Sequence, residues 1–429
     1  MLRVWAGKRP VGLLDRHGAH GATFVYDEKA QPGDAISLTM PVRTASWDHA
    51  FGIHPIFEMN LPEGALRAEL NRRFAKATGR FSDLDLLGVV GRSQIGRLRF
   101  TAPDSDLDEN VPLQSVDEIL RARRGGELYD YLVAKFAVHS GLSGVQPKVM
   151  IRGEEDVSAP RKSDSVKGAT HIVKFWDKDE YAELAANEFF CLEAARRIGL
   201  QVPGFSLADD GSALIVERFD LRPEGTYNGF EDFCVLNGVG SDRKYEGGYE
   251  ARLFKRTREF VGGAGRSKAL HDLFKLFVLN CAIQNGDAHA KNFALLYDLP
   301  TGAAALAPVY DLITTTAYLP ADKMALTLNG TTAWPSAQKL TQLGQTRADV
   351  SLKQINEMFE QIADTLAELA PAVRTYFADR SPEIGERILA AWSSGVSFSL
   401  GRTRSWSQGA SVQPEEVTED NETDGPGCR

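Results

Sequence analysis

Residues 270–293 read LHDLFKLFVLNCAIQNGDAHAKNF. The first part is largely apolar and long enough for a helix, so it must be buried. It stops at an Asn-Gly turn, and an acid, an imidazole, an ammonium and an amide follow within a few residues. A chain built this way needs a core large enough to bury the helix, with the polar loop left at the core's edge. A lone Asp287 reads as the cap of the next turn. The set says more. Asp287, Lys291 and Asn292 reproduce the D-x-x-x-K-N order of phosphotransferase loops. There the Asp accepts the proton of an attacking hydroxyl, the Lys neutralises the phosphoryl group and the Asn holds magnesium.

Magnesium takes oxygen ligands and needs only one or two from protein side chains. A second acid is therefore expected after a further apolar run. LAPVYDLITTT supplies Asp311, in the metal-binding position of a kinase-type site. Alone, Asp311 would read as a helix N-cap; the pairing favours metal. His289 competes with a metal-hydrolase reading. That would need more His or carboxylate ligands at short spacing, and the eight histidines are scattered. His289 is read as a histidine that orients the loop, beside the nucleotide-facing residues.

The rest of the chain is organised around this loop. Residues 1–105 read as a β-rich N-terminal subdomain, with short alternating runs at RVWAGKRPVGLL, TFVYD and AISLTMPV. Within it, PEGALRAELNRRFAKATG has helical spacing through Leu66, Leu70 and Phe74, with Gly79 as its stop. DLDLLGVVGRSQIGRLRF has a helix-turn-strand rhythm. The acidic stretch 101–118, with two prolines, reads as a linker. Residues 119–220 form the rest of a small mixed lobe: strands at PKVMIRG, THIVKFW and SALIVERFD, and a helix in YAELAANEFFCLEAARRIGL. Residues 221–402 read as a helical larger lobe. From 403 on the chain is polar and acidic and reads as a disordered tail. The expected fold class is α+β, bilobal and kinase-like.

Composition bounds the alternatives. The chain has 429 residues, 43% hydrophobic and 25% charged, as expected of a globular protein with two or three lobes. A formal charge of −9 excludes a global basic field for nucleic acid. The four cysteines are widely spaced, without zinc-ligand spacing, and fit a reducing cytoplasm. The N-terminus lacks the apolar core of a signal peptide. No apolar stretch reaches the ~18 residues of a membrane span.

A phosphotransferase also needs a phosphate-facing loop, a strand lysine and an acid to hold that lysine. SGLSGVQPK (140–148) supplies glycines and serines directly before a strand, and its plain alternative is a hairpin turn. Lys174 sits within the apolar HIVKFW, where an edge lysine against strand pairing is the alternative. Glu188 on the following helix is its expected partner. LIVERFD then places Glu217 and Phe219 at a connector between lobes whose backbone would meet adenine.

SGVQPK, HIVKF, NEFFCLEAARRIGL, VERFD, EDFCVLNGVGSDRKYEGG, NGDAHAKNF and PVYDL occur in the order seen in the HipA family, the toxin kinases of type II toxin–antitoxin systems. FEMNLPEGALRAEL and DLLGVVGRSQIGRLRF resemble that family's N-terminal subdomain, so the similarity runs from residue 1 to about 400. The resemblance implies an ATP- and magnesium-dependent serine/threonine kinase whose acceptor is a protein, in characterised members an aminoacyl-tRNA synthetase. It implies Asp287 as catalytic base, Asn292 and Asp311 as magnesium ligands, and Lys174 on the ATP phosphates. Lys291 would lie near the γ-phosphate, and Glu217 and Phe219 would line the adenine pocket. Ser143, Gly144, Val145, Gln146 and Lys148 would belong to the phosphate loop. Family members often carry an autophosphorylated serine where this chain has Gly141, which leaves Ser143, and then Ser140, as the candidates for phosphorylation. A HipB-like helix-turn-helix antitoxin is the implied partner, with operator DNA read mainly by the antitoxin. Two other classes remain open: a sugar or aminoglycoside-type kinase on the same scaffold, and a pseudokinase acting only through an antitoxin.

Overall fold

The computed structural model describes residues 1–78, 81–122, 125–154, 167–176 and 181–406. Strands β1 (Leu2–Ala6), β2 (Arg9–His17), β3 (Gly21–Tyr26), β4 (Trp47–His49) and β5 (Leu98–Thr101) form an antiparallel sheet of order β4-β3-β2-β1-β5. Alternation along β1 to β3 buries Val4, Leu14 and Phe24 on one face. Helices α1 (Gly64–Thr78) and α2 (Asp83–Val90) cover that face with Leu66, Leu70, Leu86 and Leu87. Ser82 and Asp85 form a capping box that starts α2.

AISLTMPV does not form the expected strand. It makes a tight turn closed by a bridge between Ser37 and Met40. The turn presents Ser37 Oγ and the Leu38 amide to the Glu231 carboxylate, at 2.7 and 2.8 Å, and these long-range bonds override the local alternation.

The second sheet has order β6-β7-β8-β10-β9, built from β6 (Leu113–Gln114), β7 (Lys148–Gly153), β8 (His171–Phe175), β9 (Phe205–Leu207) and β10 (Ala213–Glu217). Helices α3 (Gly125–Phe136) and α4 (Leu184–Arg197) flank it. Gly199, at φ +82°, ends the turn after α4. The acidic stretch 101–118 is packed in place: Val111 is buried and donates its amide to Lys167 O, and Glu109 pairs with the buried Arg99. Val149, Val173 and Ile215 of this sheet belong to the same apolar cluster as Val4 and Phe57.

The larger lobe contains α5 (Gly265–Ala282), α6 (Ala337–Arg347), α7 (Leu352–Ala378) and α8 (Pro382–Leu400). It also carries a sheet within the stretch read as a helical lobe: β11 (Gly229–Asp232), β12 (Ala294–Tyr297) and β13 (Ala304–Leu306), in that order. Strands of three or four residues are too short to show a period. Phe277, Phe359, Ile362 and Trp392 share its core with Phe190 and Cys191 of α4. Gly395 lets α8 approach the end of α5, because a Cβ there would lie 2.2 Å from Ala282 O. Residues 403–406, expected to belong to a disordered tail, are instead held against the lobe: Arg404 binds Glu360 and Asp364, and the Trp406 carbonyl accepts from Arg374. Residues 407–429 lie outside the described residues. No helix among the described residues is long and apolar enough to cross a membrane.

Two buried polar clusters join the parts. Arg218 and Asp220 are paired; Arg218 donates to Gln94 O at 2.8 Å, and Asp220 accepts from the Gly96 amide at 2.7 Å. Glu231 accepts from Ser37, Leu38 and Tyr297. Burial pushes its carboxyl up to about 7. The folded chain therefore holds this proton more tightly than the unfolded chain, where the group titrates at its ordinary value of 4.5. The charged carboxylate costs nothing below pH 4.5, and its cost grows until it is complete above about pH 7. Between pH 5 and 8 the native protein should lose up to on the order of 3 kcal/mol relative to Glu231→Gln. Parallel urea-unfolding curves for the two proteins across that range would rule the assignment out.

Candidate active site

Helix α5 delivers the polar loop, and the loop is fixed by Asn285 and by side chains of the segments packed on it. Asn285 donates to Asn280 Oδ1 at 2.7 Å and accepts from the Asp287 amide. Thr315 Oγ1 accepts from the Gly286 amide and donates to Asp322. Gly286 is required: a Cβ there would lie 2.0 Å from Asp322 Oδ2. Tyr249 and Tyr310 donate to the carbonyls of Ala288 and Lys291. Asp287 is left half-buried, accepting from Tyr245 Oη at 2.7 Å. Burial raises its carboxyl above the ordinary aspartate value, as suits a proton acceptor. Asn292 donates its amide nitrogen to Asp287 O, which leaves its amide oxygen for a ligand.

Opposite the loop stands the small-lobe sheet. Lys174 on β8 donates to Glu188 on α4 at 2.5 Å and also to Asp311. Burial opposes the charge on Lys174, but the two carboxylates outweigh it and raise its pKa. Burial likewise opposes ionisation of Asp311, and the ammonium groups of Lys174 and Lys148 hold it well below the usual range. Asp311 sits at φ +52°, a left-handed conformation that costs a non-glycine residue energy and is concentrated at functional sites. Leu184, Glu188 and Leu192 form the face of α4 that lines the cleft.

Lys148 is buried beneath the loop at Gly144, and burial lowers its pKa. Gly144, at φ +113°, leaves room for it: a Cβ there would lie 2.3 Å from Lys148 Nζ. Gln146 donates to Phe175 O at 3.0 Å, and Ser143 donates to Glu63. Val145 is exposed at the rim. On the third side, Phe219 stacks on Tyr310 with centroids 5.8 Å apart, near Phe230. Glu217 lies beside it at the end of β10.

The structure thus gathers Ser143, Gly144, Val145, Gln146, Lys148, Lys174, Glu188, Glu217, Phe219, Asp287, His289, Lys291, Asn292 and Asp311 around one cleft of about 570 Å³. Ser140 is not among them. It is fully buried, donating to Phe136 O and accepting from the Met150 amide. Gly141 has no room for a side chain, because a Cβ would lie 2.0 Å from Gln94 Nε2. Lys291 is placed differently from expectation. Its ammonium is tied to Asp232 Oδ2 at 2.7 Å and to Met59 O at 3.0 Å, so it pins the loop to the N-terminal subdomain. His289 is buried and edge-on to Tyr245, and burial, helped by Lys244, lowers its pKa to about 3. It is neutral in the working range.

Residues missed from the sequence also line the cleft: Met59, Asn60 and Ile95 of the N-terminal subdomain, and Asp232, Lys244, Tyr245 and Asp322. The only signal for Lys244 and Tyr245 is their place in SDRKYEGG, which carries no period or known spacing.

The donor set fits a magnesium nucleotide. Asn292 and Asp311 offer an amide oxygen and a carboxylate, and Lys148 and Lys174 offer ammonium groups. Among the described residues no cluster of three or more His, Cys, Asp or Glu could hold a metal alone.

Fold and cleft define a two-lobed α+β protein with an added N-terminal subdomain. Residues 2–101 match the HipA N-terminal domain and residues 140–370 the HipA-like C-terminal domain. The chain belongs to the HipA family. Among curated proteins, "Putative kinase Y4mE" of Sinorhizobium fredii is 30% identical over 74% of this chain and 78% of its own length. "Putative kinase Y4dM" of the same organism is 28% identical over 72% and 74%. Among solved structures, the chain shares its fold with one from the Shewanella oneidensis toxin–antitoxin complex of HipA, HipB and operator DNA. There the TM-score is 0.65 and the identity 18%, over 93% of this chain and 98% of that one.

Proposed function

We propose that this protein is a HipA-type toxin kinase that transfers the γ-phosphate of ATP, with magnesium, to a serine or threonine hydroxyl of a protein. The observation that carries this reading is the convergence of Asp287, Asn292 and Asp311 with the Lys174–Glu188 pair on one cleft. Asp287 takes the acceptor proton. Lys174 and Lys148 face the phosphates, Asn292 and Asp311 hold the metal, and Phe219 and Glu217 flank the base. Magnesium, when bound, neutralises charge on the transferring phosphoryl group.

A protein acceptor is favoured over a sugar by the mouth of the cleft. Tyr181, Tyr245, Val145 and Leu319 line it and are all exposed, a rim suited to a peptide segment. Family membership points to a translation protein such as an aminoacyl-tRNA synthetase as acceptor. It also points to a HipB-like antitoxin as partner, with operator DNA contacted mainly through that antitoxin; the Shewanella structure is a complex of HipA, HipB and operator DNA. Incubating the protein with labelled ATP and cell lysate tests the reading: a labelled protein band is expected. A labelled small molecule would move the assignment to a small-molecule kinase.

A further inference from the structure

We propose that Lys244 is a contact residue for the terminal phosphoryl group of the nucleotide, with Glu63 as its resting counter-ion; this rests on the kinase reading. The transferred group has to lie between the phosphate loop and the base. Lys174 and Lys148 belong to the small-lobe side of the cleft, and Lys291 is occupied by Asp232 and Met59. Among the described residues, Lys244 is a cation that bridges the interval. Its Nζ lies 3.4 Å from one oxygen of Glu63, and the other oxygen accepts from Ser143 of the phosphate loop. The next residue, Tyr245, donates to Asp287 Oδ1. The Lys244 carbonyl accepts from the Ala290 amide at 3.2 Å, which ties its backbone to the base loop. The side chain is mostly buried and lines the cleft.

Glu63 therefore gathers a hydroxyl and an ammonium, two donors of the kind that a phosphoryl oxygen takes. At 3.4 Å the ammonium–carboxylate contact is longer than the usual ~2.7–2.9 Å of a charge-assisted bond, so exchanging the partner sacrifices little. Gly64 holds the arrangement close: a Cβ there would lie 2.6 Å from Val145 O.

The test compares magnesium-ATP and magnesium-ADP binding by calorimetry on the full chain, so it does not depend on transfer. Lys244→Met should weaken ATP by on the order of tenfold or more and leave ADP unchanged, with Lys244→Arg retaining most of the preference. Glu63→Gln should tighten ATP and not ADP, a result that stands even if Lys244→Met folds poorly. Equal losses for both nucleotides in Lys244→Met, or no change in any variant, would overturn the assignment of Lys244 and leave the kinase reading in place. A native protein that binds neither nucleotide would overturn both.

Discussion

Asp287→Asn should lower phosphoryl transfer by at least roughly a hundredfold, the contribution expected of a positioned general base, while nucleotide binding and melting temperature stay near native values. The side chain accepts one hydrogen bond, from Tyr245, and an asparagine oxygen can accept it as well. The neighbouring loop contacts run through Asn285, Thr315, Tyr249 and Tyr310 and do not use this carboxylate. Burial raises the Asp287 carboxyl above its ordinary value. The base is protonated and idle below that raised value, so activity should fall with acidification earlier than for an ordinary aspartate. Steady-state rates against pH, with melting curves for both proteins, check the two halves of the expectation. A variant that keeps native transfer would remove Asp287 from the chemistry.

The largest stability effect is expected at Lys291. Lys291→Met removes the cation from a buried pair and leaves Asp232, which is 2% exposed, as an isolated charge. Breaking a buried pair from one side costs about 3–5 kcal/mol. Asp232 also caps the short helix at Phe233–Leu236 by accepting from the Val235 amide, so its own removal would mix two effects. Asp232→Asn keeps a capping oxygen and removes the charge, and in the Lys291→Met background it should recover part of the loss. Urea unfolding of the two single variants and the double variant measures this directly. If Lys291→Met were as stable as the native chain yet inactive, the lysine would be a phosphate ligand and not a pin.

The local parts of the site were legible because their signals are local. A lysine inside the apolar HIVKFW and a glutamate on the next helical segment announce a buried pair, and the structure places Lys174 and Glu188 together. Strands β7, β8 and β10 and helices α4 and α5 were readable as apolar runs of strand and helix length, as were the helical character of the larger lobe and the α+β class. Strands β11 to β13 were not, since each is shorter than one clear alternation. The largest omissions are contacts across long separations. Glu63 to Ser143, Met59 to Lys291 and Gly96 to Asp220 each join the N-terminal subdomain to a distant part. Nothing in the spacing of either partner encodes them. The same limit explains AISLTMPV, whose alternation promised a strand and whose shape is set by Glu231, far along the chain.

The shared apolar cluster has a thermodynamic meaning. Val4, Phe57 and Leu86 pack in the same core as Val149, Val173 and Ile215, so no solvent-lined plane separates the first hundred residues from the small lobe. A chain cut after Thr101 would leave a raw apolar face on each fragment and would take Met59 away from Lys291. The two regions should therefore unfold together as one cooperative unit, which a single urea transition in both regions would show. The small lobe borrows part of its folding free energy from a segment that sequence comparison counts as a separate module.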